Sequence, residues 1–472
     1  MKHRGLLIDC SRVVERHAYY FRLIELMAAW NYNTLVFHFN DDHGLSVKLP
    51  GFQKIAQPYA MTCGQVRKLI THAADHGIEV IPELETFGHT RYLTDQPQYR
   101  HLFAGQWSRK RTYNAIDPRH PETFALMRRL MRETSKLFPS DYLHIGCDEV
   151  DLKHYAQQHG GLDTKAVWAE YVNRMITMAI EHGKTPMLWA DHLMHDPEIA
   201  RQIDKRAIPV WWNYQPDGDD SQYRHLLEAG FEKLWMAPST SNGRIRFLPT
   251  TYGLDNVDRL ARFAHQHRAH GFLNTVWEPH YGLQGAHDYG IAYAAESCRA
   301  QGKLDRDKFN RRFVKQHFGT SMDNELRDYL ADWPSLHITD EVTYWLVGHR
   351  TKLSKAGWDS LRQVNQTGRA ILSLAADYSP SKNVEAWRAM RIAARAAWAV
   401  SEFAVLKRWG GSPARKQAHN QMLKRVRREV ADEWDRTRHP DDPRKHRSAF
   451  TTDPYNYAIV LLQHLKPLPA RA

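Results

Sequence analysis

What constrains this chain most is a rhythm. Within its first 300 residues, eight short apolar runs alternate with longer amphipathic stretches. The runs are GLLIDC (5–10), NTLVFHF (33–39), GIEVIPEL (77–84), YLHIGCDE (142–149), TPMLWAD (185–191), AIPVWWNY (207–214), EKLWMAP (232–238) and GFLNTVWE (271–278). Each has the length of a buried strand and is too short for a core helix. Helical patterning fills the intervals, at His17–Trp30, Cys63–Asp75, Glu122–Leu137, Lys165–His182 and Val257–His267. The pairs Asp117-Pro118 and His120-Pro121 mark a helix entry before Glu122. Eight βα units in about 300 residues are the arithmetic of an α/β chain folded as a (β/α)8 barrel. A doubly wound sheet would need a glycine-rich phosphate loop after its first strand, and CSRVVER is not one.

Past residue 300 the strand signals fade. Helical periodicity, broken by GGSP (410–413) and HPDDPRKH (439–446), predicts an appended α-helical domain over 301–472. The formal net charge of +12 lies wholly there: 31 Lys+Arg face 19 Asp+Glu in 301–472, whereas the first 300 residues balance at 34 each. No nucleic-acid motif accompanies the excess, so a solvated helical face is the simpler reading and no nucleic-acid partner is expected. No run approaches the roughly 20 apolar residues of a membrane span. The apolar stretch after Met1 is too short and too soon charged for a secretory signal. Four scattered cysteines form no CxxC pair, which indicates neither zinc nor a disulfide framework and suggests a reducing, cytoplasmic compartment. The tail, with its tryptophans, could pack on the barrel or mediate a homodimer.

Ionisable residues crowd the ends of the apolar runs: Asp9, Asp41, Asp42, Glu83, Glu85, His89, Asp148, Glu149, Asp191 and Glu278, with Asn213 and Tyr214 beside them. In a barrel these tips converge on one face, where active sites are built. Trp189, Trp211, Trp212, Trp235 and Trp277 lie in the last four runs, suiting a sugar pocket in which pyranose faces stack on indoles. Core packing accounts for about half of them. The adjacent acids Asp148 and Glu149 admit three readings: a cation site, a cap for the next helix, or a catalytic pair. Neighbours on a strand point to opposite faces, so they share a site only if the strand ends and opens into a loop there. Adjacent acids do not straddle a sugar ring as acid and nucleophile, and make better sense if the substrate supplies the nucleophile.

The blocks RGLLIDCSR (4–12), FHFNDD (37–42), VIPELETFGH (80–89), NAIDPRHPET (114–123), HIGCDEV (144–150), MLWAD (187–191) and VWE (276–278) resemble the β-N-acetylhexosaminidases of glycoside hydrolase family 20, most closely their short hexosaminidase D-like members. The resemblance implies an exo-acting, retaining enzyme that takes terminal N-acetylglucosamine or N-acetylgalactosamine and needs no cofactor or metal. It implies Glu149 as general acid, with a raised pKa, and an ionised Asp148 that orients the substrate's acetamido group. Asp41 and His89 would stand behind the acid, and Arg4 would clamp the sugar's O3 and O4. Trp189, Trp212 and Trp277 would wall the pocket. The tip of the seventh run reads APSTSNGR (237–244) where relatives carry a tyrosine, so Tyr214 would hold the acetamido oxygen. Glu278 would reach O4 and O6.

Overall fold

The computed structural model describes residues 1–12, 14–107, 114–241, 250–277, 282–374, 378–439 and 458–469. The chain falls into two compact units. One comprises Met1–Ser239 and Arg259–Val276; the other comprises Thr240–Asp258 and the described residues from Trp277 on.

The eight apolar runs form the eight parallel strands of a closed (β/α)8 barrel: β1 (His3–Asp9), β2 (Thr34–His38), β3 (Glu79–Glu83), β4 (Tyr142–His144), β5 (Thr185–Trp189), β6 (Ile208–Trp212), β7 (Trp235–Ala237) and β8 (Gly271–Val276). Each pairs with the next in chain order, and β8 returns to β1 with Leu7 opposite Thr275. Closure leaves no edge, and the strands are apolar on both faces because helices cover the outside and side chains fill the inside. Leu6, Leu7, Ile8, Leu35, Val36 and Ile81 are fully buried.

The amphipathic intervals become the covering helices, including His17–Ala29, Cys63–Asp75, Pro121–Leu137 and Thr164–Glu181. Their starts follow local chemistry. Thr62 and Gln65 form a reciprocal capping box, Pro121 occupies the first turn behind His120, and Asp163 accepts from Lys165 N. One element went unread: Asn40–Asp41, Gly44–Lys48 and Ala56–Thr62 make a small three-stranded sheet after β2. Its strands are short and polar, without the apolar signal of the barrel.

The fourth run departs from its expected length. The strand stops at His144, because Gly146 and Cys147 take the left-handed conformation at φ +67° and +75°. That early stop lets the next residues leave the sheet.

The second unit is helical. Its long helices are Lys355–Ile371, Val384–Trp409 and Pro413–Thr437, the second ending on Gly410 at φ +75°. Tyr289, Phe309, Phe313 and Trp333 form an edge-on aromatic cluster within it. Among the described residues, no helix is long and apolar enough to cross a membrane.

Candidate active site

Strand register builds the floor of the site. Asp9 lies opposite His38, His38 opposite Glu83, and Glu83 opposite His144, so four neighbouring strands end on one ionisable layer. His38 is its hinge: Nε2 lies 3.1 Å from Asp41 Oδ2 and Nδ1 3.1 Å from Glu83 Oε2. Burial alone would lower the His38 pKa, but Glu83 and Asp41 raise it well above the usual value, so the imidazole is a cation between two anions. Burial likewise works to raise Glu83; the His38 charge overrides it, helped by the Trp189 N–H, and holds the carboxyl down. His144 is pushed down to about 4 by burial and stays neutral.

Above this floor the loops after β2, β3 and β4 converge on His89. Its Nδ1 lies 3.5 Å from Asp42 and 3.7 Å from Asp41, and its Nε2 lies 3.3 Å from Glu149 and 3.7 Å from Asp148. Burial opposes protonation of this imidazole, yet Asp41 and Asp148 raise its pKa well above the ordinary one. The turn that delivers the acids is tight. Glu149 sits at φ +49° and His89 at φ +50°, strain of about 1–3 kcal/mol each that the surrounding contacts must hold. Two glycines permit it. A Cβ on Gly146 would come within 1.9 Å of Glu85 Oε2, and one on Gly88 within 2.2 Å of the Asp148 carbonyl oxygen.

Both acids therefore face one site, as an opened loop requires. The helix-cap reading is overturned: the next helix, Lys153–Gln158, starts from Leu152, and Lys153 N donates to Asp151. The proton order reverses the expected one. Burial, with repulsion from Asp191 and Glu149, pushes Asp148 up to about 8 against the pull of His89. The hydrogen bond with His89 holds Glu149 below its ordinary value, and the Glu149 side chain is 58% exposed against 14% for Asp148. An open pocket solvates the outer acid and starves the inner one of water. Glu85, buried beneath Gly146, is likewise raised well above its ordinary value, chiefly by burial.

Arg4 is a correction. It lies at the start of β1, about 16 Å of strand from the tip at Asp9. There its Nε donates to the Asn31 carbonyl and its backbone N to Asn33, at the end of the barrel opposite the acids. The arginine at the mouth is Arg12, which sequence reasoning missed. Its Nη1 lies 2.6 Å from Asp9 and its Nη2 3.1 Å from Asp41. Arg12 follows the tip by three residues, and that placement was the available signal. Burial would raise Asp41, but Arg12 and His89 hold it well below the carboxylate range. Removing Arg12 takes a guanidinium from two buried carboxylates, Asp9 and Asp41. Arg12→Ala is therefore expected to lose about 2–3 kcal/mol of stability in denaturant unfolding, whereas Arg4→Ala changes stability little and leaves KM within about twofold.

Of the proposed walls, Trp212 reaches the open site. It is half-buried, stacks on Tyr214 at 5.1 Å and 28°, and lines a cavity of about 440 Å³ together with Glu149, Asp191, His192 and Lys165. Trp189 is 1% exposed, and its indole N–H donates to Glu83 at 2.7 Å, so it buttresses the floor. Trp211 and Trp235 are fully buried. Trp277 directly follows β8 and falls in the second unit, and Glu278 lies outside the described residues. Asp191 and His192 brace the catalytic turn from β5, accepting from Glu149 N at 2.9 Å and Val150 N at 3.2 Å.

The same carboxylates and imidazoles could gather a cation, with Asp41, Asp42 and His89 or His89, Asp148 and Glu149 close enough together. Asp41 already holds the Arg12 guanidinium and His38, so a cation there would displace an existing ion pair.

Residues 1–241 match the family model described as glycosyl hydrolase family 20, catalytic domain. Over 278 residues the chain is 26% identical to β-hexosaminidase subunit alpha of Rattus norvegicus, covering 55% of this chain and 52% of that one. A β-hexosaminidase of Vibrio furnissii is 30% identical over 182 residues, 32% of this chain and 29% of the other. The chain thus spans about half the length, or less, of these curated relatives. Among solved structures, a Bacteroides fragilis β-N-acetylhexosaminidase superposes with a TM-score of 0.52 at 17% identity, covering 67% of this chain and 70% of that one. A Vibrio harveyi exo-β-N-acetylglucosaminidase gives 0.51 at 21%, covering 63% and 54%. These two show the fold. With the family model matched over 241 of its 472 residues, the chain belongs to glycosyl hydrolase family 20.

Proposed function

We propose that the protein is an exo-acting, retaining β-N-acetylhexosaminidase that removes terminal N-acetylglucosamine or N-acetylgalactosamine by substrate-assisted catalysis. The observation that carries this reading is the convergence of Asp148 and Glu149 on one imidazole, at the mouth of the barrel. Adjacent acids that share one imidazole approach a sugar from the same side, so they do not serve as acid and nucleophile across the scissile bond in the manner of two-carboxylate retaining glycosidases. One carboxylate must then act on the leaving group while the other holds the internal nucleophile.

In this scheme the sugar packs against Trp212, and its 2-acetamido oxygen attacks C1 as the glycosidic oxygen takes the Glu149 proton. Asp148 accepts the acetamido N–H and steadies the charge that develops on the oxazolinium ring. Water, deprotonated by Glu149, then opens that ring with the original configuration restored. The resting proton order supports the scheme once substrate is considered. A sugar that covers Glu149 removes its water and raises its pKa, and an N–H offered to Asp148 lowers that one. One proton then passes from Asp148 to Glu149, with His89 giving from Nε2 to one acid and receiving from the other.

The test is hydrolysis of nitrophenyl β-glycosides of N-acetylglucosamine, N-acetylgalactosamine and glucose. Cleavage of the two acetamido sugars, with the glucoside slower by at least about 10³-fold, is expected because the glucoside lacks the internal nucleophile. Comparable cleavage of the glucoside would remove the role given to Asp148.

A further inference from the structure

The second unit holds a cavity of about 410 Å³, within the roughly 300–1,000 Å³ range of small-molecule sites. Arg388, Arg391 and Arg395 stand at i, i+3 and i+7 on helix Val384–Trp409, so all three share one face and line it. Arg425 and Glu429 line it from helix Pro413–Thr437. Glu429 pairs with Arg395 and, at 2.9 Å, with Arg425. Glu433 pairs with Arg388 at 3.1 Å and with Arg436; Glu385 takes Arg436 at 2.8 Å and Arg388 at 3.7 Å. Arg391 has no ionic or hydrogen-bond partner among the described residues. Five guanidinium groups thus meet three carboxylates, an excess of two positive charges.

Trp387 and Tyr378 add ring walls to the cavity. Stacking like charges on one helix face is unfavourable, and Arg391 stands unpaired among them. A guanidinium can only donate, so its missing partner is an acceptor, and the positive excess around the cavity makes that partner an anion.

From the unpaired Arg391 and the excess of guanidinium groups around this cavity, we propose that it binds a small metabolite bearing a phosphate monoester. Guanidinium groups hold such a group by two parallel N–H donations, which Lys cannot reproduce.

Isothermal titration of the full chain tests this, with inorganic phosphate, glucose 6-phosphate and glucose as probes at ionic strength matched with chloride. Saturable binding of one equivalent of the phosphate-bearing probes, with a rise in Tm and no response to glucose, is expected. Arg391→Gln, a change at a half-exposed residue that breaks no ion pair, should weaken binding at least about tenfold. Glu149→Gln should bind as wild type does. Absence of saturable binding, or equal binding by Arg391→Gln, would overturn the proposal. So would an Arg391-dependent response to a single-stranded oligonucleotide with none to either phosphate probe, which would assign the surface to nucleic acid.

Discussion

Asp148→Asn is expected to make the protein more stable at neutral pH while its hydrolysis of acetamido sugars falls by about 10²–10³-fold. The activity loss follows from misplacing the acetamido nucleophile, since an amide that donates where a carboxylate accepted turns the group away. The stability gain follows from linkage. Burial raises the folded pKa of Asp148 from the ordinary 3.8 to about 8, so between those values the folded state keeps a proton that the unfolded chain has released. A group bound more tightly to its proton in the folded state loses stability as pH rises. The Asp148 penalty is therefore absent below pH 3.8, grows through pH 4–8, and is complete above 8. Asparagine does not titrate. Each pH unit between the unfolded and folded titrations is worth roughly 1.4 kcal/mol, discounted here for the attraction between His89 and the wild-type acid. The variant should then gain about 2–4 kcal/mol at pH 7 and almost nothing at pH 4. Urea unfolding of both proteins at the two pH values checks this. An equal difference at both would mean that Asp148 is already ionised in the free protein. The pH profile of kcat/KM carries the same information, because it reports the free enzyme. Its basic limb should fall near pH 8, where the pair loses its last proton, and should move in the variant.

Glu149→Gln is expected to lower kcat/KM, which reports the step that expels the leaving group, by about 10²–10⁴-fold on a substrate whose leaving group is a sugar. A sugar alkoxide is a poor leaving group and needs the proton; a nitrophenolate departs largely without it. The loss should therefore be much smaller with nitrophenyl glycosides, and the ratio of the two losses identifies Glu149 as the acid. Because its side chain is 58% exposed, the substitution should scarcely move Tm. A variant that lost both substrates equally would implicate Glu149 in binding instead of protonation.

Much of this was legible in the order of the residues. The eight apolar runs mark all eight barrel strands because buried parallel strands must be apolar on both faces. The tips are readable because a barrel exposes them together. Arg4 precedes the first run and Arg12 follows it, so strand direction alone, from His3 toward Asp9, was enough to prefer Arg12 at the mouth, and the signal was passed over. Less legible was which way a side chain turns. Trp189 and Trp212 both close a strand, yet the first turns onto Glu83 and the second toward the cavity, which composition cannot distinguish. The proton order was hidden for a different reason. It depends on which of two adjacent acids water reaches, and that is set by left-handed turns at Cys147 and Glu149, where a sequence gives no warning.

Gly88 bears on how such a site could be altered. Its α-carbon has no room for even a methyl group beside the carbonyl oxygen of Asp148, so the segments carrying His89 and the acids touch backbone to backbone. Side chains can be exchanged one at a time, but a main-chain contact offers nothing to exchange. Reshaping the protein for another sugar is then confined to the Trp212 and Tyr214 side, where the wall is made of replaceable rings. The half that holds Asp148 and His89 is fixed, and variation has to be written on the opposite bank.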